Sequence, residues 1–328
     1  PLGMALFGVT ATFAPTIGPT LGGWLTEAFS WHYIFYLNVI PGIAVLMLLA
    51  AGLDKEEGDP EQLKKIDLFG MLTMALGLGC LEIMLEEGAR DDWFDAEYIR
   101  WLGLVSAMSL FLFVRKQLTT EHPLVDLRLF RSLDFSLACV AYFVLGAGLF
   151  GSVYLVPLYL ASVHDYTALD IGLVLMWVGF PQLPFFPLIP RLLKFIDAKY
   201  LVAFGFFVVG GSMWMNMHMS IDYNGSYLIP ALLVRALGQP FIMVPLSIMS
   251  SQNLDPKDAP SASTLFNVMR NLGGAVGIAL LATLLSERTD YHLAELKQTL
   301  VSGSQNLAEY LRLLGGALES GGGSADQS

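Results

Sequence analysis

Nine blocks of predominantly apolar residues, each about twenty residues long, run through the 328-residue chain. A helix needs roughly 20 apolar residues to cross about 30 Å of hydrocarbon, and within that layer every backbone polar group must be satisfied inside the segment. Blocks of this length leave one fold class: all-α, a polytopic helical membrane protein. They cover Gly3–Leu25, Tyr33–Leu53, Leu68–Leu85, Ile99–Val114, Phe135–Leu160, Ile171–Leu192, Tyr200–Met219, Tyr227–Ser250 and Ala262–Leu285. Composition agrees. Apolar residues make up 55% and charged residues 14%, against about 45–50% and about 25% in soluble domains. A net charge of -11 leaves no basic face for a nucleic-acid partner. Cys80 and Cys139 both lie inside apolar blocks, where they read as small buried hydrophobes instead of a disulfide or a metal site.

Loop charges give the orientation. The loops after the second, fourth, sixth and eighth blocks hold Lys55, Lys64, Lys65, Arg115, Lys116, Arg128, Arg131, Arg191, Lys194, Lys199 and Lys257, while the alternate loops hold only Arg90, with Arg100 just inside the fourth block. By the positive-inside rule the first set is cytoplasmic. The external turn carrying Glu86, Glu87, Asp91, Asp92, Asp95 and Glu97 is then a solvated acidic turn. Residues 286–328 are polar, carry weak helical patterning around Tyr291–Leu300 and Leu307–Leu318, and end in a glycine-rich run, so an external loop or tail is expected there. The division that follows is 1–53 as two helices of one bundle, 54–66 as a cytoplasmic linker, 67–116 as a helix pair, 117–134 as a second linker and 135–285 as five helices of another bundle.

Ala14, Gly18 and Gly22 recur every fourth residue, interleaved with Pro15 and Pro19 and followed by Gly23. Small residues on one helical face let a second backbone approach, and each proline removes a donor and bends the helix. A kinked, tightly packed span is expected, with no room for a side chain at Gly18 or Gly22. Arg235 and Arg270 lie within blocks, and Asn267 stands one turn before Arg270. Intramembrane charge is costly and faces a cavity or a partner, so these three are candidates for the transport pathway or helix registry; structural anchoring, with Arg270 snorkelling to the cytoplasmic end, is the alternative. Pro181, Pro184, Pro187 and Pro190 fall every third residue, which an unbroken helix cannot hold. The break makes Gln182 and Trp177 candidate cavity residues; a bent cytoplasmic end held by neighbouring helices is the alternative. No Walker loop, metal-ligand spacing or catalytic constellation is evident, so neither cofactor, metal site nor catalytic residue is assigned.

The run Ala14-Pro-Thr-Ile-Gly-Pro-Thr-Leu-Gly-Gly-Trp-Leu resembles the fifth-span antiporter motif of major facilitator superfamily exporters. Trp31-His-Tyr-Ile-Phe-Tyr-Leu-Asn, Asp92-Trp93-Phe94, His122-Pro-Leu-Val-Asp-Leu-Arg-Leu-Phe-Arg and Asn267-Val-Met-Arg-Asn-Leu-Gly-Gly are similar to the EmrB/QacA type of fourteen-span drug:proton antiporter. The resemblance extends to about Glu295 and implies spans five to thirteen, with the 67–116 pair as the extra helices between the two halves. Pro1 opens the chain without an initiator, and a fragment of a longer product is expected. The family's proton-coupling acid falls outside this stretch, so no residue here inherits that role. The implied function is export of amphipathic toxic compounds in exchange for protons by alternating access across the inner membrane. The implied partners are lipophilic or amphipathic small molecules, protons, the lipid bilayer and a periplasmic membrane-fusion adaptor. A non-transporting receptor or scaffold, or a membrane-embedded enzyme such as an acyltransferase, are the alternatives.

Overall fold

The computed structural model describes residues 17–52, 67–120, 123–217, 219–252 and 258–321. Among them all regular structure is helical. In chain order the elements are α1 (17–28), α2 (His32–Gly52), α3 (Leu68–Gly88), α4 (Glu97–Thr119), α5 (Leu133–His164), α6 (Ala168–Gly179), α7 (Ile189–Leu192), α8 (Ala198–Met215), α9 (Gly225–Gln252) and α10 (Ala259–Gly321). Eight helical segments among the described residues are long and apolar enough to cross a membrane. They coincide with the second to ninth sequence blocks. Of the first block only the part carried by α1 lies within the described residues.

α5, α8, α9 and α10 form a bundle in which α5 packs most extensively on α10 and α8 on α9. Its core contains Phe135, Cys139, Leu145, Ile242, Leu265 and Phe266. A second cluster, Val156, Leu160, Val174, Leu228 and Leu232, joins α6 to α5 and α9. Thr167 and Asp170 make a capping box at the start of α6, which satisfies two backbone donors that would otherwise be orphaned. The prolines then end α6. A 3-10 turn spans Phe180–Phe185, and α7 resumes for four residues. Three other prolines, Pro230, Pro240 and Pro245, sit inside α9 without ending it, because they are spaced farther apart; Pro240 and Pro245 are also fully buried among neighbours.

The α3–α4 pair is stitched internally by Ser106 Oγ, which donates to the Gly77 carbonyl at 2.8 Å. It also docks on the bundle: Trp93 Nε1 donates to Thr283 Oγ1 of α10 at 3.0 Å, and Phe113 and Val125 belong to the same core as Phe135. Gln117 is fully buried. Its amide donates to Asp67 Oδ2 at 2.9 Å and its carbonyl accepts from Val125 N at 3.2 Å. That one side chain ties both ends of the pair to the stretch of chain leading into α5.

Two features depart from the sequence expectation. Every residue of α2 is exposed, so no described neighbour buries a face of this apolar helix. The segment expected to be a loop or tail after Leu285 is helical to Gly321, continuous with α10. Its physical basis is local: from Ser286 to Leu300 there is no glycine or proline, and Glu, Arg, Leu, Ala, Lys and Gln predominate, all residues of good helix propensity.

Candidate functional site

The helix α1 meets α6 through glycines on both sides. A Cβ at Gly23 would collide with the Ala168 carbonyl, and one at Gly172 would lie 2.6 Å from the Pro19 carbonyl oxygen and 2.7 Å from Thr20 Cα. The contact is backbone on backbone, as small residues permit. Thr20 Oγ1 donates to the Gly172 carbonyl at 2.9 Å. Leu169 N donates to Glu27 Oε1 at 3.1 Å, placing a carboxylate at the N-terminus of α6 where the helix dipole favours it.

This places the close approach one residue away from its expected position. A methyl group at Gly18 would meet nothing within 4 Å, and one at Gly22 would meet only Ile34 Cδ1 at 3.9 Å. Among the described residues Gly18 and Gly22 thus have room for a methyl group, and at the α1–α6 contact the tight positions are Gly23 and Gly172, with Pro19 contributing its carbonyl. Ala14 and Pro15 lie outside the described residues. Gly172 was missed because a lone glycine has no spacing to betray it.

A second glycine seam joins α5 to α10. A Cβ at Gly146 would strike the Arg270 carbonyl, one at Gly273 the Phe143 carbonyl, and one at Gly277 would lie 2.7 Å from Ala147 Cα. The Gly146-Ala-Gly-Leu-Phe-Gly run is thus a packing surface.

The other candidates separate into three places. Arg235 is 4% exposed and spans from α9 to α5, where it bonds Ser152 Oγ and the Leu149 carbonyl, the latter at 3.0 Å. Gln182, 4% exposed, sits in the 3-10 turn and donates to the Val178 carbonyl at 3.0 Å, while Trp177 is exposed. Asn267 and Arg270 are brought together on α10, Arg270 Nη2 donating to Asn267 Oδ1 at 3.2 Å. Three buried polar atoms have no partner among the described residues: Gln182 Oε1, Arg235 Nε and Arg270 Nε. Tyr142 and Ser247, which share a hydrogen bond near Arg270, were not singled out from sequence because neither is charged.

Residues 1–278 match the Major Facilitator Superfamily. The chain belongs to the major facilitator superfamily. It is accordingly a multi-pass protein of the inner membrane from a family of transporters, not an enzyme. Within the superfamily it is similar to the Colistin resistance protein EmrB of Acinetobacter baumannii, 32% identical over 326 residues, which is 99% of this chain and 64% of that protein. It is 33% identical over 327 residues to the Probable multidrug resistance protein EmrY of Escherichia coli, covering 96% and 63% respectively. To the Multidrug export protein EmrB of the same organism it is 29% identical over 301 residues, covering 91% and 58%. The chain thus spans less than two thirds of the length of these superfamily relatives.

Proposed function

We propose that this chain is part of a multidrug efflux transporter that exports amphipathic toxic compounds in exchange for protons by alternating access. The α1–α6 seam carries the reading. Alternating access needs two helical groups that rock against each other around a fixed site, and the contact through Gly23 and Gly172 is a dry, backbone-level joint between the α1 end of the chain and the bundle built on α5. Names of relatives support the cargo: colistin resistance, multidrug export and, for a protein of Neisseria gonorrhoeae, fatty acid resistance.

In this reading Gly23 and Gly172, with Pro19, form the seam, Asn267 and Arg270 belong to the pathway, and Gln182 and Trp177 to the interruption of α6. Arg235 sets the registry of α9 on α5. The helical continuation of α10 beyond the membrane is the surface offered to a periplasmic membrane-fusion adaptor. The test uses everted membrane vesicles carrying the protein expressed from its complete reading frame. Imposing a proton gradient should drive uptake of a lipophilic dye, and collapsing it should release the dye. Dye movement indifferent to the gradient would refute the reading.

A further inference from the structure

The turn from α7 into α8 carries exposed charge beside exposed aromatic surface. Lys194 N donates to the Arg191 carbonyl at 3.3 Å and Phe195 N to the Leu192 carbonyl at 2.9 Å, so Arg191, Lys194 and Phe195 lie within one turn of chain. All three are exposed, Phe195 by 87%. On α8, Tyr200, Phe204 and Phe207 are each more than half exposed. Their spacing of four and then three residues sets them on one face, over about 10 Å of helix. Phe204 meets Phe241 of α9 edge-on, with ring centroids 5.3 Å apart, and Phe241 lies 6.3 Å from Phe185 of the 3-10 turn. The aromatic face of α8 therefore adjoins the interruption of α6.

The charge on this turn is positive. Between Phe180 and Gln252 the carboxylates are Asp197 and Asp222, and Asp222 belongs to the turn at the opposite end of α8. Asp197 pairs with Lys199 at 3.4 Å, and the Lys199 ammonium stands 5.0 Å over the Tyr200 ring. Arg191 and Lys194 take no part in the ion pairs among the described residues. The distribution of Lys and Arg puts the turn on the cytoplasmic side, where the leaflet surface is negative. α8 is itself long and apolar enough to cross the membrane, so its aromatic face looks into hydrocarbon and the two cations stand at the depth of the headgroups.

From this we infer that the α7–α8 turn holds an anionic phospholipid of the cytoplasmic leaflet. Arg191 and Lys194 bind its phosphate, the arginine through its planar fork and the lysine as a point charge. One acyl chain lies along Tyr200, Phe204 and Phe207, with Phe195 inserted beside the glycerol. The lipid braces α7, a helix of four residues, against α8. The inference goes beyond the efflux reading and does not rest on it.

Dioleoyl phosphatidylglycerol and dioleoyl phosphatidylcholine share their chains and differ in head-group charge. Each is titrated into the protein purified in detergent from its complete reading frame, with the thermal-unfolding midpoint as the readout. Phosphatidylglycerol should bind more tightly, and its advantage should shrink as salt is raised. Arg191→Gln and Lys194→Gln should each weaken phosphatidylglycerol about fivefold and leave phosphatidylcholine within about twofold; both side chains are exposed, so the fold is kept. Phe207→Ala should weaken both lipids alike, since it removes a contact to the chain. Arg131→Gln, at the other cytoplasmic turn, should leave the preference within about twofold. Equal binding of the two lipids, a preference that survives in both Arg191→Gln and Lys194→Gln, or an equal loss in Arg131→Gln overturns the inference. So does a matching shift from glycerol phosphate, which has the charge without the chains and would mark a site for a free anion.

Discussion

At Gly23 and Gly172 the atoms that a side chain would strike belong to backbone, which cannot rotate aside. Gly23→Leu should therefore separate α1 from α6 and abolish transport while membrane insertion, followed by fractionation, stays intact. Overpacking of this kind costs about 1–3 kcal/mol. Gly18→Ala should leave transport near the unaltered level, since its added methyl meets nothing among the described residues. Spacing alone identified the small-residue span, but it could not say which neighbour would come or along which face. One residue is a step of about 100° around a helix, enough to move the contact from Gly22 to Gly23. Gln117 makes a different demand. Gln117→Ala strands the buried Val125 N–H and takes one of two bonds from the Asp67 carboxylate, which keeps Gly70 N. A loss of about 1–3 kcal/mol per stranded group should appear as a lower midpoint in thermal unfolding of the detergent-solubilised protein.

Helices in this protein are held by few polar links, so each link has a measurable share in element placement. Arg235 ties α9 to α5, and Arg235→Leu removes a buried cation together with its two contacts to Ser152 and Leu149. Exchange of a buried polar network for an apolar side chain is often near neutral for stability. The folded yield should then survive, whereas Arg235→Ala, which also leaves a cavity, should lower it; size-exclusion chromatography separates the two. Thr283→Val should loosen the α3–α4 pair from α10 by about 1 kcal/mol, because Trp93 Nε1 loses its acceptor. The interruption of α6 was legible in the four prolines at intervals of three. The length of α10 was not. Weak helical patterning shows at 291–300 and 307–318, but it does not reveal one unbroken helix; a helix already nucleated in the membrane propagates cheaply, one hydrogen bond per residue fixed.

For the molecule as a whole, the apolar blocks settle the architecture because a bilayer allows few alternatives, and the asymmetry of Lys and Arg gives the orientation. Cysteines introduced singly test it. Asp222→Cys, in the turn after α8, should react with a membrane-impermeant maleimide in intact cells, and Lys194→Cys, in the turn after α7, only in everted vesicles. Asn267 and Arg270 on α10 were legible as intramembrane polar residues, whereas Ser263 and Asn271 drew no notice until the structure showed them exposed on the same helix. The same helix runs 36 residues past Leu285 without interruption, about 54 Å of rod fixed at its base by the glycine seam with α5. Any rotation of the bundle is then magnified by leverage. A tilt of about 10° would sweep the far end of that rod through about 9 Å, so a change too small to see at the seam becomes a displacement that a neighbouring protein outside the bilayer can feel.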